Sequence, residues 1–175
     1  MSITITKPKP KPARKTRPRS RALNKMASKK IVLFTGVVSG QIHRLKSKAA
    51  VELSPGKLIE VIRIGFPVQE LDVLQASLGV PMDKLALKLG MSKATLHRRK
   101  SQGRLGPEES DRVLRYARLM GKAVEVMGGE ESARRWLSSP QFGLGGAVPL
   151  DYAETEVGAR EVEDLLGRIE YGVYS

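Results

Sequence analysis

Lys93, Arg98, Arg99, Lys100 and Arg104 place five positive charges within a short stretch, interleaved with Ser92, Thr95 and His97. These groups suit recognition of a polyanion. Ammonium groups neutralise phosphate oxygens, and a guanidinium can donate two parallel hydrogen bonds to the N7 and O6 of guanine. Nothing beside them suits bond breaking. The chain has no Cys and two His, His43 and His97, far apart in sequence, so neither thiolate chemistry nor a His-based metal centre is expected. His97 as a general base lacks a partner at convincing spacing, and a DNA-contacting or simply exposed histidine is the better reading. The glycines of Phe142–Gly146 are no phosphate loop, because no strand precedes them and no Lys-Ser/Thr pair follows. Glu161, Glu163 and Asp164 read as a solvated helix face rather than a carboxylate site. No catalytic residue, metal ligand or cofactor is therefore expected.

The basic residues need a scaffold, and Met82–Lys100, MDKLALKLGMSKATLHRRK, has the features of a helix-turn-helix. Leu85 and Leu89, four apart, face inward from a first helix. Ala86 is small where a second helix must approach, and Gly90 falls at the turn. Ser92 is a natural N-cap for the second helix, and Leu96 buries that helix against the first. Ser92, Lys93, Thr95, His97, Arg98 and Lys100 are then the candidate DNA-binding residues, at the end that enters a major groove. Arg98 suits a guanine edge; Lys93 and Lys100 suit phosphates. Arg99 stands where an apolar residue often closes such a helix, which leaves the packing of that end open.

Further helices are expected around this motif. Ser54 and Pro55 read as the cap and first position of a helix whose stripe, Leu58, Ile59 and Ile62, stops at Gly65 and Pro67. Val68–Leu78 places Leu71, Leu74 and Leu78 on one face, with Gly79 closing it. Pro107–Gly121 opens on Glu108, Glu109 and Asp111, which favour the positive end of a helix dipole, and its apolar face continues to Met127. Glu130–Leu137 is a short helix carrying Trp136, Phe142–Pro149 is loop-like, and Val157–Tyr171 is a last helix with Val162, Leu165, Leu166 and Ile169 inward. The reading is all-α, apart from Ile31–Val38, which suits a strand or a buried helical turn.

Charge divides the chain into three. Residues 1–30 hold eleven Lys/Arg and no acid; residues 31–106 hold twelve basic and five acidic residues; residues 107–175 hold eight basic and thirteen acidic. The Lys-Pro alternation of Lys7 to Pro12 blocks helix, and like charges keep the first segment solvated. It is expected as a disordered basic tail, either a non-specific DNA arm or a dispensable extension. Residues 31–106 follow as a helix-turn-helix domain and residues 107–175 as a second helical domain. The run Ile31–Val38 is too short to span a bilayer and its basic lead-in too long for a secretory leader, so a cytoplasmic protein without membrane contact is expected.

The chain from Val68 to Ser175 resembles the Xre/MbcA/ParS antitoxin family. The residues that carry the resemblance are LGMSKATLHRRK of the second motif helix, ESDRVLRYARL (Glu109–Leu119), and the stretch from Ala133 to Ser175. Within that stretch a Trp-Leu near a Pro precedes Leu-x-Gly-x-x-Pro-Leu, here Leu144 to Leu150, and a closing helix with Gly near its end. The resemblance implies an all-α antitoxin of a type II toxin–antitoxin system: a DNA-binding helix-turn-helix followed by a small toxin-binding and dimerisation domain. Its partners would be operator DNA and a RES-domain toxin that degrades NAD, with a homodimer inside a larger complex that represses its own operon. By position, Leu144, Gly146 and Pro149 shape the loop before the last helix, and Arg168, Tyr171, Gly172, Val173 and Tyr174 form the end that reaches the toxin. The plainer reading of Tyr171 and Tyr174 is a frayed end packed on its own domain. The alternative function is a stand-alone transcriptional regulator whose C-terminal domain only dimerises or senses a ligand.

Overall fold

The computed structural model describes residues 55–173. The basic tail, the Ile31–Val38 run, the Ser54 cap and Tyr174 lie outside these residues. Among the described residues there are eight α-helices, one 3₁₀ turn and no strand: α1 Pro55–Ile64, α2 Gln69–Leu78, α3 Met82–Lys88, α4 Lys93–Gln102, α5 Pro107–Met127, α6 Glu130–Leu137, the turn Phe142–Leu144, α7 Pro149–Tyr152 and α8 Glu156–Glu170.

Local sequence explains the punctuation. Pro55 and Pro107 open α1 and α5, where a missing N–H costs nothing. Glycines in the left-handed conformation close α2, α4 and α5 at Gly79, Gly103 and Gly128. The last helix begins at Glu156 because the Thr155 hydroxyl accepts the Gly158 N–H at 3.0 Å.

The 21 residues of α5 form the spine, about 30 Å long at 1.5 Å per residue. Val113, Tyr116, Ala117, Leu119, Met120 and Ala123 are all buried along it. That apolar arc is wider than one stripe, so α5 packs against α1, α2, α6 and α8. Of the residues expected inward, Leu71, Leu74, Leu78, Leu85, Leu89, Leu96, Val162, Leu165 and Leu166 are buried, and Leu58, Ile62 and Ile169 are half-buried. Ile59 is 49% exposed, because α1 packs mainly on α5 and buries none of its residues fully. The Phe142–Pro149 region is more ordered than a plain loop. It contains the 3₁₀ turn and leads into α7, whose four residues are too few for periodicity to reveal. Among the described residues, no helix is long and apolar enough to cross a membrane.

Candidate nucleic-acid interface and partner-facing terminus

The turn between α3 and α4 is built on Gly90, at φ 68°. Its N–H donates to the Leu87 carbonyl and the Met91 N–H to the Ala86 carbonyl, both at 2.8 Å, a Schellman closure that buries Met91. A side chain at Gly90 would strain the backbone and strike the Arg112 guanidinium, which reaches across from α5 to the Leu89 carbonyl at 2.9 Å. α4 then starts at Ser92, whose Oγ accepts the Thr95 N–H at 3.1 Å and lies 3.0 Å from the Thr95 hydroxyl.

Leu96 is the one buried residue of α4. Lys93, His97 and Lys100 recur at helical spacing and are exposed, and Arg98 beside them is exposed as well. Of the six residues expected to meet DNA, these four and Ser92 are exposed. Ser92 and the half-buried Thr95 spend their hydroxyls on the cap.

Two of the five positive charges in this stretch are committed within the chain. Arg99 turns toward α5: its Nε donates to Glu109 Oε1 at 3.0 Å, and its Nη2 lies 3.0 Å from the same oxygen. Glu109 is buried, and its other oxygen accepts the Gly106 N–H at the start of α5. This pair closes the end of α4 in place of the apolar residue that Arg99 displaces. Arg104 donates from Nη1 to the Gly65 carbonyl at 2.6 Å. Nearby, the Leu105 N–H donates to the Phe66 carbonyl at 2.8 Å and the Val68 N–H to the Gly103 carbonyl at 3.2 Å, an isolated bridge at Pro67 and Arg104. The Ser110 hydroxyl joins the two sides, accepting the Phe66 N–H at 2.8 Å and donating to the Gly106 carbonyl at 2.7 Å. Glu109 had a legible signal: an acid three residues past a helix start is the capping-box spacing. Its pairing with Arg99 had none.

At the other end of the chain, Leu144 and Pro149 are buried and shape the loop from inside, while Gly146 is exposed at φ 86°. Arg168 is half-buried. Gly172 donates to the Ile169 carbonyl at 3.1 Å and Val173 to the Arg168 carbonyl at 2.9 Å, so the end of α8 is closed rather than frayed. Tyr171 is 81% exposed and Val173 54%. Phe142, 98% exposed, escaped the sequence reading, which took its neighbourhood for a loop.

Ion pairs line the contact of α5 with α8. Arg115 reaches Glu156 at 3.0 Å and Arg118 reaches Glu163 at 3.4 Å; Lys122 pairs with Glu170, a hydrogen bond that pushes the ammonium pKa up. The three acids recur every seven residues, which keeps them on one edge of the helix. Glu163 thus faces Arg118, while Glu161 and Asp164 are exposed. No group of acids and histidines among the described residues could hold a metal ion. The buried Tyr116 phenol donates to the Leu150 carbonyl at 3.2 Å; burial, with Glu154 and Asp151 nearby, pushes its pKa well above the ordinary tyrosine value. Lys88 of α3 pairs with Asp151 and, at 3.4 Å, with Glu154.

Comparison with known proteins matches both halves. Residues 57–118 match the antitoxin Xre-like helix-turn-helix domain, and residues 122–172 match the antitoxin Xre/MbcA/ParS C-terminal toxin-binding domain. The chain is 40% identical over 120 residues to the antitoxin Xre of Yersinia enterocolitica, covering 67% of this chain and 81% of that protein. It is 32% identical over 117 residues to the antitoxin Xre of Photorhabdus laumondii, covering 66% and 79%. A Sphingobium protein named Prs ADP-ribosylating antitoxin is 31% identical over 140 residues, covering 73% and 87%.

Proposed function

Because the chain belongs to the Xre family of antitoxins, with a helix-turn-helix domain and a C-terminal toxin-binding domain, we propose that it neutralises a RES-type, NAD-degrading toxin and represses its own operon. It acts as a homodimer within a larger toxin–antitoxin complex and is itself no enzyme. Residues 1–30 are a basic tail, 31–106 the DNA-binding part and 107–175 the toxin-binding and dimerisation part. The observation that carries the DNA half is the exposed face of α4, where Lys93, His97, Arg98 and Lys100 stand clear of the core on a helix whose two ends are tied down. A reading helix has to be rigid at its ends and bare on its outer face. The NAD half draws support from the Sphingobium relative, because ADP-ribosylation takes its ADP-ribose from NAD and its name joins that chemistry to an antitoxin.

In this reading Arg98 contacts a guanine edge, while Lys93 and Lys100 contact phosphates. Arg98→Ala then weakens operator binding by about 1–3 kcal/mol and blurs one base position, whereas scrambled DNA is bound as before. Mobility shifts on both DNAs decide this, and unchanged operator binding by an Arg98/Lys100 double alanine variant removes the assignment. For the toxin half, co-expression is the test. Cells making the RES-domain toxin with the full chain keep their NAD and grow; with the chain cut after Arg168 they do not, although operator binding survives. A chain that binds its operator and protects no cell is the stand-alone regulator instead.

A further inference from the structure

Phe142 leaves 98% of its surface in water, on a loop that is firmly held. Gln141, just before it, is the centre of the loop. Its N–H donates to the Ala147 carbonyl at 3.0 Å, and its carbonyl accepts the Gly146 N–H at 2.9 Å and the Leu144 N–H at 3.1 Å. Its side-chain amide donates to the Trp136 and Ser139 carbonyls at 2.9 and 3.0 Å. Just after Phe142, Gly143 lies so close to α8 that a Cβ there would come within 2.6 Å of Leu165 Cδ1. Leu144 then enters the core. With both neighbours pinned, the backbone that carries the ring is fixed at the surface, where the ring stands out in water.

An exposed aromatic on a mobile loop is ordinary. One held outward by its backbone is an anchor prepared before binding, because the loop has little freedom left to lose and the ring itself turns about only two bonds. The helix beside it carries exposed acids together with the half-buried Arg168. Glu161, one turn before Leu165, and Asp164, adjacent to it, are exposed on the helix that the loop leans on. The loop also falls inside residues 122–172, matched as a toxin-binding domain.

We propose that Phe142 is the anchor by which this chain grips its toxin, inserting the ring into an apolar pocket whose rim carries basic side chains that meet Glu161 and Asp164. The inference rests on the reading of the C-terminal region as toxin-binding, and adds a second contact to the chain end, where Tyr171 and Val173 are exposed beyond the last turn of α8.

The test titrates the purified full-length chain into the RES-domain toxin that the proposed function assigns to it. Phe142→Ala weakens binding by about thirtyfold or more, the range of a hot-spot aromatic, while the melting temperature stays that of the parent. Phe142→Trp keeps binding within a few-fold, and the Glu161→Gln/Asp164→Asn variant binds more weakly with a flatter salt dependence. Equal affinity for Phe142→Ala and the parent overturns the proposal, as does a drop in its melting temperature that shows the ring packed on its own domain. If the parent chain binds no RES-domain toxin, the functional reading beneath it falls as well.

Discussion

α4 and α8 are both helices with an outward face, yet they are anchored in opposite ways. α8 buries Gly158, Ala159, Val162, Leu165 and Leu166, and a row of ion pairs seals its edge against α5. α4 buries only Leu96 and is held at its two ends, by the Ser92 cap and by the Arg99–Glu109 pair. A helix anchored along its length contributes stability. One anchored at its ends contributes little apolar burial and leaves most of its circumference bare. The helix proposed to meet DNA is thus held at one end by Glu109 of α5, the same helix whose other side chains hold α8.

The largest expected effect breaks the core side of this contrast. Leu166→Ala removes a fully buried side chain and costs about 3 kcal/mol, read as the urea midpoint, with both DNA and toxin binding lost together at raised temperature. Glu109→Ala tests the polar side. It strands Arg99 and uncaps the Gly106 N–H, for about 2 kcal/mol; a fully buried pair would cost more, but 24% of the Arg99 side chain is exposed. Its distinguishing sign is a loss of operator preference under conditions where the melt shows the protein folded. Restoring an apolar closure with Arg99→Met/Glu109→Gln should recover much of the stability. Full operator binding by folded Glu109→Ala would show that the pair does not orient α4.

Tyr116 gives a pH dependence. Its folded pKa is raised above the unfolded value of about 10, so the protonated phenol stabilises the fold fully below that pH. This contribution is lost as pH rises beyond it. Tyr116→Phe gives up one hydrogen bond, about 1 kcal/mol at neutral pH, and loses less stability than the parent between pH 9 and 11. Parallel denaturation curves settle the sign. The smallest effect belongs to Lys122→Ala: its pair with Glu170 is partly exposed, 32% and 35% of the two side chains, so solvent screens it, the melting temperature barely moves and moves less still in salt.

Much of this architecture was legible in one dimension. Stripes at 3.6-residue spacing and the Pro and Gly marks delivered α1, α2, α3, α4, α6 and α8 nearly to the residue, because helix formation answers to neighbours three and four positions away. The four-residue α7 was not legible, being shorter than the period that would betray it.

For the site, the sequence by itself determined which residues are cationic and that a capped helix follows a glycine turn. Those are matters of residue type and local hydrogen bonding. Only the tertiary structure decided how the charges are spent. Arg98 and Arg99 are adjacent and chemically identical, but successive helix positions point about 100° apart, so one faces solvent and the other faces Glu109. Arg104 likewise is drawn to the Gly65 carbonyl, 39 residues away in the chain. Phe142 is the converse case. Its apolar side chain would be expected inside, yet it is 98% exposed, on a backbone that the packing of Gly143 on Leu165 and the bonds of Gln141 fix at the surface.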